Sequence, residues 1–306
     1  MTLNSEEVSV GTNFKISVVI THYKRPAGLD DTLSSISQQT HLPDDILVCD
    51  DCSGDETESV VRKWQAELPM LRYHCQSHNV GMPDNLNWGL QNVSGDIIIN
   101  LHDSDIYEPS LIKKCQDALY KNPSAGLVFW DSYNMGTKND HIPSFLIGRE
   151  FFERFYLYER KSYIWGTVAV RKEVYDRLLP FDSEFGAWAD VDMWMQVCQH
   201  YDICHINEPL VCLWDEGFFR AFNFEKVLRV QRMIFLNIYR FYKDKPEVLK
   251  QALRGQLKIQ RKRWLWHMGG RVKRMEFKLL CEGLKLGPSF LKIPNFSEGK
   301  IHRSSK

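Results

Sequence analysis

Four short aliphatic runs, FKISVVIT (14–21), DDILVCDD (44–51), MLRYHC (70–75) and GDIIINLHDSD (95–105), alternate with stretches of helical period. That alternation constrains the fold more than any other feature of the chain. A β-branched run too short for a helix and bounded by polar turn residues reads as a buried strand. The intervening stretches read as helices over about 27–39, from the CSGDET turn to about 67, over 79–93, and after Pro109, and GLVFWDSYN (126–134) supplies a fifth strand. Strand and helix in strict alternation imply a mostly parallel sheet with covering helices. In such sheets a ligand binds in the crevice beyond the carboxyl ends of the strands. Here those positions hold Thr21 to Arg25, Asp50 with Asp51, and His102 to Asp105, so three strands deliver charged or polar groups to one edge.

Further along, residues 136–160 show no period and are expected to form a mobile loop with short helices. YIWGTVAVRKEVYDRL (163–178) reads as a strand followed by a helix, and AWADVDMWMQVCQH as a helix with Asp190 and Asp192 near its start. From Phe224 the pattern is helical. The expected division is a catalytic domain over 1–220 and a helical, basic region over 221–306.

At 306 residues, 43% hydrophobic and 25% charged, the composition suits a substantial globular core and excludes collagen-like, disordered and small disulfide-framework classes. No uncharged apolar run approaches the length needed to cross a bilayer. The opening MTLNSEEVSV has neither a cationic segment nor an apolar one, so no signal peptide is expected. The expected setting is the cytoplasm, either free or peripheral on the inner face of the cell membrane. Of eight cysteines only Cys49 and Cys52 have C-x-x-C spacing, which argues against a four-cysteine zinc site. The two aspartates between them work against a reactive thiolate.

Two carboxylate pairs carry the chemistry. Asp103 and Asp105 flank Ser104 at a strand end, a donor set suited to Mg²⁺ or Mn²⁺ bound together with substrate phosphates. The alternative is a turn that merely caps the helix after Pro109. Asp190 is a candidate general base, or else it simply complements the helix dipole. Neither G-x-x-x-x-G-K nor G-x-G-x-x-G occurs, which disfavours a P-loop NTPase or a nicotinamide dehydrogenase.

Taken together, ISVVITHYKRP, DDILVCDDCSGDET, NVGMPDNLNWGL, GDIIINLHDSDIYEP and WADVDMW resemble, in order and spacing over roughly residues 14–215, the family 2 glycosyltransferases of GT-A fold. The resemblance implies an α/β, nucleotide-diphospho-sugar transferase fold with a helical C-terminal extension. It also implies an inverting transfer of a sugar from a nucleoside diphosphate to an acceptor hydroxyl, with a divalent ion as cofactor. By position, Thr21, Tyr23 and Arg25 match the nucleotide-contacting first-strand motif, and Asp50, with Asp51 beside it, the position that binds the base. Asn79 and Gly81 match the turn near ribose and diphosphate. Asp103 and Asp105 occupy the metal motif, Asp105 as its last aspartate, and Asp190 matches the general base. Three departures stand out. His102 and Ser104 replace carboxylates of the metal motif, Ala189 replaces the glutamate before the base, and LWDEGF (213–218) replaces the Tyr-Arg-x-His element.

The neutral total hides an asymmetry. Residues 254–306 hold 14 Lys/Arg against 3 Asp/Glu, and the remainder 25 against 36, so a basic C-terminal region follows an acidic body. Leu257, Trp264, Met268, Val272, Met275 and Leu279 fall on one helical face among lysines and arginines, and Gly269-Gly270 suggests two helices rather than one. A basic amphipathic helix of this kind serves either an anionic membrane surface or packing on the rest of the protein. No nucleic-acid motif accompanies the charge. The expected partners are a nucleotide-sugar donor and a glycan or lipid-linked glycan acceptor, in surface polysaccharide or glycoconjugate synthesis. The rival readings are a non-catalytic nucleotide-sugar or glycan-binding homologue and a nucleotidyltransferase.

Overall fold

The computed structural model describes residues 14–133, 141–159, 162–213 and 224–273, with isolated positions between 281 and 293. The chain divides into two compact units. The first comprises residues up to Pro180 together with His200–Trp214, and the second comprises Phe181–Gln199 together with Asp215 onward. The LWDEGF segment lies outside the described residues after Leu213.

In chain order the first unit contains β1 (Ile16–His22), α1 (Pro26–Ser37), β2 (Asp45–Asp50), α2 (Thr57–Trp64), β3 (Leu71–Cys75), α3 (Met82–Gln91), β4 (Ile97–His102), β5 (Ile106–Tyr107), α4 (Leu111–Lys121), β6 (Ala125–Ser132), β7 (Phe145–Leu146), α5 (Gly148–Phe151), β8 (Val168–Arg171) and α6 (Lys172–Leu178). The second unit supplies α7 (Ala189–Val197), the first unit resumes with β9 (Asp202–Cys212), and α8 (Phe224–Tyr242) and α9 (Pro246–Lys273) follow. The strands form one sheet in the order β3-β2-β1-β4-β8-β6-β9-β5, with β7 pairing β9.

The mostly parallel expectation holds for the first half of this sheet, where β3, β2, β1 and β4 are all parallel. The second half is mixed. β8 inserts antiparallel between β4 and β6, β6 and β9 pair in parallel, and β5 and β7 run antiparallel to β9. Periodicity marks a strand but carries no direction, which is why the insertion of β8 was not legible. Every residue of β1 is buried, as expected where helices cover both faces of a parallel sheet. Ile16, Val18 and Ile20 pack with Leu29, Leu33 and Ile36 of α1 and with Ile97 and Ile99 of β4 in the main core. Within 141–159, where a mobile loop with short helices was expected, α5 continues into a π-helical stretch over Phe152–Glu159. Phe151, Phe152 and Phe155 are fully buried there.

In the second unit, α8 and α9 pack through a small cluster of Phe224, Val227, Leu228, Trp264, Met268 and Leu286. Helix α9 runs unbroken to Lys273, so Gly269-Gly270 does not divide it, contrary to the sequence expectation. Glycine in a helix costs about 1 kcal/mol relative to alanine. That penalty lowers helix stability without forcing a break.

Candidate functional site

The parallel register places the three strand ends side by side. Thr21 faces Cys49 and His102, and His22 faces Asp50. The loops leaving these ends hold Lys24, Cys52 and Ser104 at φ of 57°, 62° and 72°, the only non-glycine residues at positive φ among those described. Such conformations are disfavoured for L-residues and collect where surrounding structure imposes them, often at functional sites. Here all three border the crevice anticipated from the strand ends.

Asp103 is gripped from the β1 side. Its Oδ1 accepts from Arg25 Nη1 at 3.2 Å and its Oδ2 from the Tyr23 backbone N–H at 3.4 Å. His22 Nδ1 lies 2.7 Å from Oδ2, an ion-pair-range contact that falls outside hydrogen-bond geometry. His22 Nε2 is 2.8 Å from Thr57 Oγ1, so one buried imidazole links the end of β1, the start of α2 and the Asp103 turn. Sequence reasoning passed over His22, because a lone histidine in a polar cluster carries no distinguishing spacing.

Asp105 sits on the other side of Ser104. Tyr107 donates to Asp105 Oδ2 at 3.4 Å, and its hydroxyl also accepts from the His102 backbone N–H at 3.0 Å. Burial first, and Asp105 second, push the Tyr107 hydroxyl well above its usual range, so it stays protonated as a fixed donor. Gly28 makes room for this turn. A Cβ there would meet Ser104 Oγ at 1.9 Å and Ser104 Cβ at 2.7 Å. The Gly28 carbonyl accepts from the Ser104 N–H at 3.2 Å.

The two carboxylates after β2 hold the neighbouring loops. Asp50 accepts from the Ser53 N–H and Oγ through Oδ1 and from the Tyr73 hydroxyl at 2.7 Å through Oδ2. Burial and the adjacent Asp50 raise the Tyr73 pKa, keeping that hydroxyl a donor. Asp51 accepts from the Val80 N–H at 2.7 Å and the Gly81 N–H at 3.0 Å. Gly81 sits at φ 88°, immediately before α3, where only glycine is unstrained. An ionised carboxylate offers about four lone-pair sites. By that count Asp51 keeps two sites for a ligand donor, and the one left on Asp50 is shared with the neighbouring Cys75 thiol. Ser53 could have been anticipated as the i+3 partner in an Asp turn, whereas Tyr73 reaches Asp50 only through the β2–β3 pairing.

Of the residues singled out from sequence, Thr21, Asp50, Asp51, Asp103 and Asp105 are buried at this edge, while Tyr23, at 40% exposure, and Asn79 face solvent. The donor set of Asp103 and Asp105 is all oxygen. It fits a hard divalent cation that takes its remaining ligands from a diphosphate and water. Among the described residues no three His, Cys, Asp or Glu side chains form a cage sufficient on their own. All eight cysteines are free, and burial pushes the Cys49 thiol up to about 12, so Cys49 and Cys52 do not make a reactive pair.

In the second unit, Asp190 occupies the first turn of α7 and accepts from the Val191 N–H at 2.7 Å. Burial pushes its carboxyl up to about 7, against the opposing pull of that N–H and its own. A carboxylate poised near neutrality is suited to general base work. Asp192, two residues on, is fully buried. It accepts from Asn237 Nδ2 at 2.6 Å, Gln196 Nε2 at 2.7 Å and Arg240 Nη1 at 3.1 Å.

A parallel sheet with acidic and basic groups gathered at its carboxyl edge, followed by a mixed second half, defines the GT-A class of glycosyltransferases. The chain belongs to that class at the family level: the sequence model of Glycosyl transferase family 2 matches residues 17–179. An uncharacterized glycosyltransferase of Bacillus subtilis, YwdF, is 27% identical over 193 residues, covering 62% of this chain and 70% of that protein. The solved structure of S. aureus TarS 1–349 in complex with UDP-GlcNAc superposes with a TM-score of 0.67 at 18% identity. That match covers 92% of this chain and 82% of the other. Glucosyl-3-phosphoglycerate synthase from Mycobacterium tuberculosis, in complex with Mn²⁺, UDP and glucosyl-3-phosphoglycerate, superposes with a TM-score of 0.52 at 17% identity, over 75% and 80%. At these identities the superpositions establish the fold. No helix among the described residues is long and apolar enough to cross a membrane.

Proposed function

We propose that this glycosyltransferase moves a sugar from a nucleoside-diphosphate donor to an acceptor hydroxyl with inversion. Its setting would be the synthesis of a surface polysaccharide or glycoconjugate on the inner face of the cell membrane. The observation that carries this reading is the gathering of Asp50, Asp51, Asp103, Asp105 and Arg25 at three adjacent strand ends, in loops held at positive φ. The UDP-GlcNAc of the TarS complex and the Mn²⁺ and UDP of the synthase complex support a nucleotide sugar and a divalent ion as its ligands.

In this scheme the remaining lone pairs of Asp50 and Asp51 accept from the base. Thr21, Tyr23 and Arg25 line the nucleotide, and the turn of Asn79 and Gly81, fixed by Asp51, meets the ribose and diphosphate. Asp103 and Asp105 would hold a Mn²⁺ or Mg²⁺ ion, which would supply charge neutralisation for the departing diphosphate. Asp190 takes the proton of the acceptor hydroxyl. The oxygen then forms its bond to the anomeric carbon from the face opposite the diphosphate, and the breaking C–O bond leaves its electron pair on that diphosphate. The catalytic region spans 1–220, and the acceptor is a glycan or a lipid-linked glycan brought close by the basic region 254–306.

A thermal-shift panel of UDP, GDP, dTDP and CMP with and without Mn²⁺ tests the donor site, since a ligand of the folded state raises stability by RT ln(1 + [L]/Kd). One diphosphate should raise the melting temperature, more strongly with Mn²⁺, and Asp105→Ala should remove the metal-dependent part. Failure of all four nucleotides to shift the wild type overturns the reading. Release of pyrophosphate instead of a nucleoside diphosphate identifies a nucleotidyltransferase.

A further inference from the structure

Helix α9 carries one acidic residue, Glu247, in its first turn, and a row of cations spaced by four: Lys250, Arg254, Lys258 and Lys262. Residues at this spacing share one side of a helix. Elsewhere in the chain such spacings are used to pair charge, as in Arg62 with Glu58, Arg149 with Glu153 and Lys172 with Asp176. The four cations of α9 form no ion pair among the described residues. At the N-terminal end of the row, Lys243, Lys250 and Arg254 line an open cleft of about 300 Å³ with Leu249, Leu253 and Ile293. At the C-terminal end come Leu265 and Trp266, exposed by 61% and 75%.

An adjoining side of α9 is committed to packing. Trp264 and Met268 join Phe224 in the cluster with α8, and Gln256 and Gln260 are buried. Two members of the apolar stripe that the sequence marks out, Trp264 and Met268, therefore contribute to the core of this unit, while the side chains of Val272, Met275 and Leu279 lie outside the described residues. Among the described residues the face left uncovered is a different one. It combines unpaired positive charge with a large amphipathic aromatic at one end, a combination that suits the boundary between anionic headgroups and acyl chains.

We propose that this face of α9 docks on an anionic phospholipid bilayer. Lys250, Arg254, Lys258 and Lys262 meet the headgroups, and Leu265 with Trp266 enters the headgroup level. The proposal deepens the membrane-proximal part of the proposed function and stands apart from the donor site, which the experiment reads separately.

The test is co-sedimentation of the full chain with vesicles of phosphatidylcholine alone and of phosphatidylcholine with 30% phosphatidylglycerol, at about 0.1 M and 0.5 M salt. Binding is expected to the anionic vesicles only, and to weaken at high salt. Each cation near such a surface contributes about fivefold in partitioning. The K250E/R254E/K258E/K262E variant should therefore lose binding by more than about 100-fold. L265S/W266S should lose roughly tenfold and keep its salt dependence. Both variants should retain wild-type far-UV circular dichroism and the same nucleotide-induced thermal shift, which separates failure of this face from failure of the donor site. Absence of wild-type binding to anionic vesicles, or equal binding by wild type and the charge-reversed variant, overturns the proposal. Preferential binding of a homopolymeric RNA over the vesicles, abolished by the same reversal, assigns the face to nucleic acid and also overturns it.

Discussion

Asp190 and Asp192 lie two residues apart in the first turn of α7, and their surroundings are opposite. Asp192 is enclosed by the side-chain donors of Asn237, Gln196 and Arg240, whereas no side chain among the described residues donates to Asp190. The local sequence offers two equivalent carboxylates at a helix start, and the packing of α8 occupies one of them. The other accepts only from backbone N–H groups among the described residues.

For Asp190 the sign of the pH dependence follows from burial. Its folded-state pKa, about 7, exceeds the ordinary unfolded value near 4. Between these values the unfolded chain has released a proton that the folded chain still holds, so stability falls as pH rises from about 4 to 7 and then levels. The full effect is at most about 4 kcal/mol by the 1.36 kcal/mol per unit relation, reduced by the side chain's partial contact with water. Asp190→Asn should flatten this slope in urea titrations at successive pH values. As the proposed base must be ionised, wild-type turnover should rise through pH 7, and the variant should lose turnover by at least about 100-fold while still binding nucleotide.

Asp192 should behave as a structural residue. Removing one partner of a buried charged pair typically costs about 3–5 kcal/mol. With Asn237 and Gln196 retained, Arg240→Leu should fall at the low end, about 3 kcal/mol, and Arg240→Lys should recover part of it. Urea denaturation measures both, and an effect below about 0.5 kcal/mol for Arg240→Leu would show that the pair contributes nothing.

At the Asp103–Asp105 turn, Gly28→Ala forces a Cβ against Ser104, including its backbone Cα at 3.0 Å. Overpacking of this kind costs about 1–3 kcal/mol, and displacement of the turn should weaken metal-dependent nucleotide binding. Ser104→Gly removes the two closest contacts, Oγ and Cβ, leaving only the Cα at 3.0 Å, and relieves the unfavourable φ of 72°. By itself it should be neutral or stabilising by up to about 1 kcal/mol, and combined with Gly28→Ala it should restore most of the loss. Thermal melts of the single and double variants decide this.

Asp51 provides a test of the opposite edge. Asp51→Asn replaces one of two acceptor oxygens with an NH₂ group that must face the N–H of Val80 or Gly81. An unsatisfied or opposed buried donor costs about 1–3 kcal/mol. Isothermal titration should show weaker nucleotide affinity, because the 79–81 turn loses its anchor. Unchanged affinity would remove Asp51 from the donor site.

Much of the candidate site was legible because it depends on strand ends. Three aliphatic runs that stop at polar clusters, in a parallel sheet, must bring Thr21, Asp50 and His102 to one edge, as the register of β1 with β2 and β4 does. The partners of those groups were not legible. His22 beside Asp103, Tyr73 on Asp50, and Tyr107 clamping the His102 backbone join residues from 5 to 81 positions apart with no spacing rule to announce them.

The alternation of strand and helix, the edge at which charge collects and the basic character of α9 all follow from local period or composition, and so could be read before any fold was known. Tertiary structure decided the direction of β8 and the grouping of residues 181–199 with the C-terminal helices. It also decided which of Asp190 and Asp192 is enclosed and which side of α9 is left uncovered. Those outcomes depend on which surfaces exclude water together. Burial is a property of contacts between distant segments, and no single window of sequence contains it.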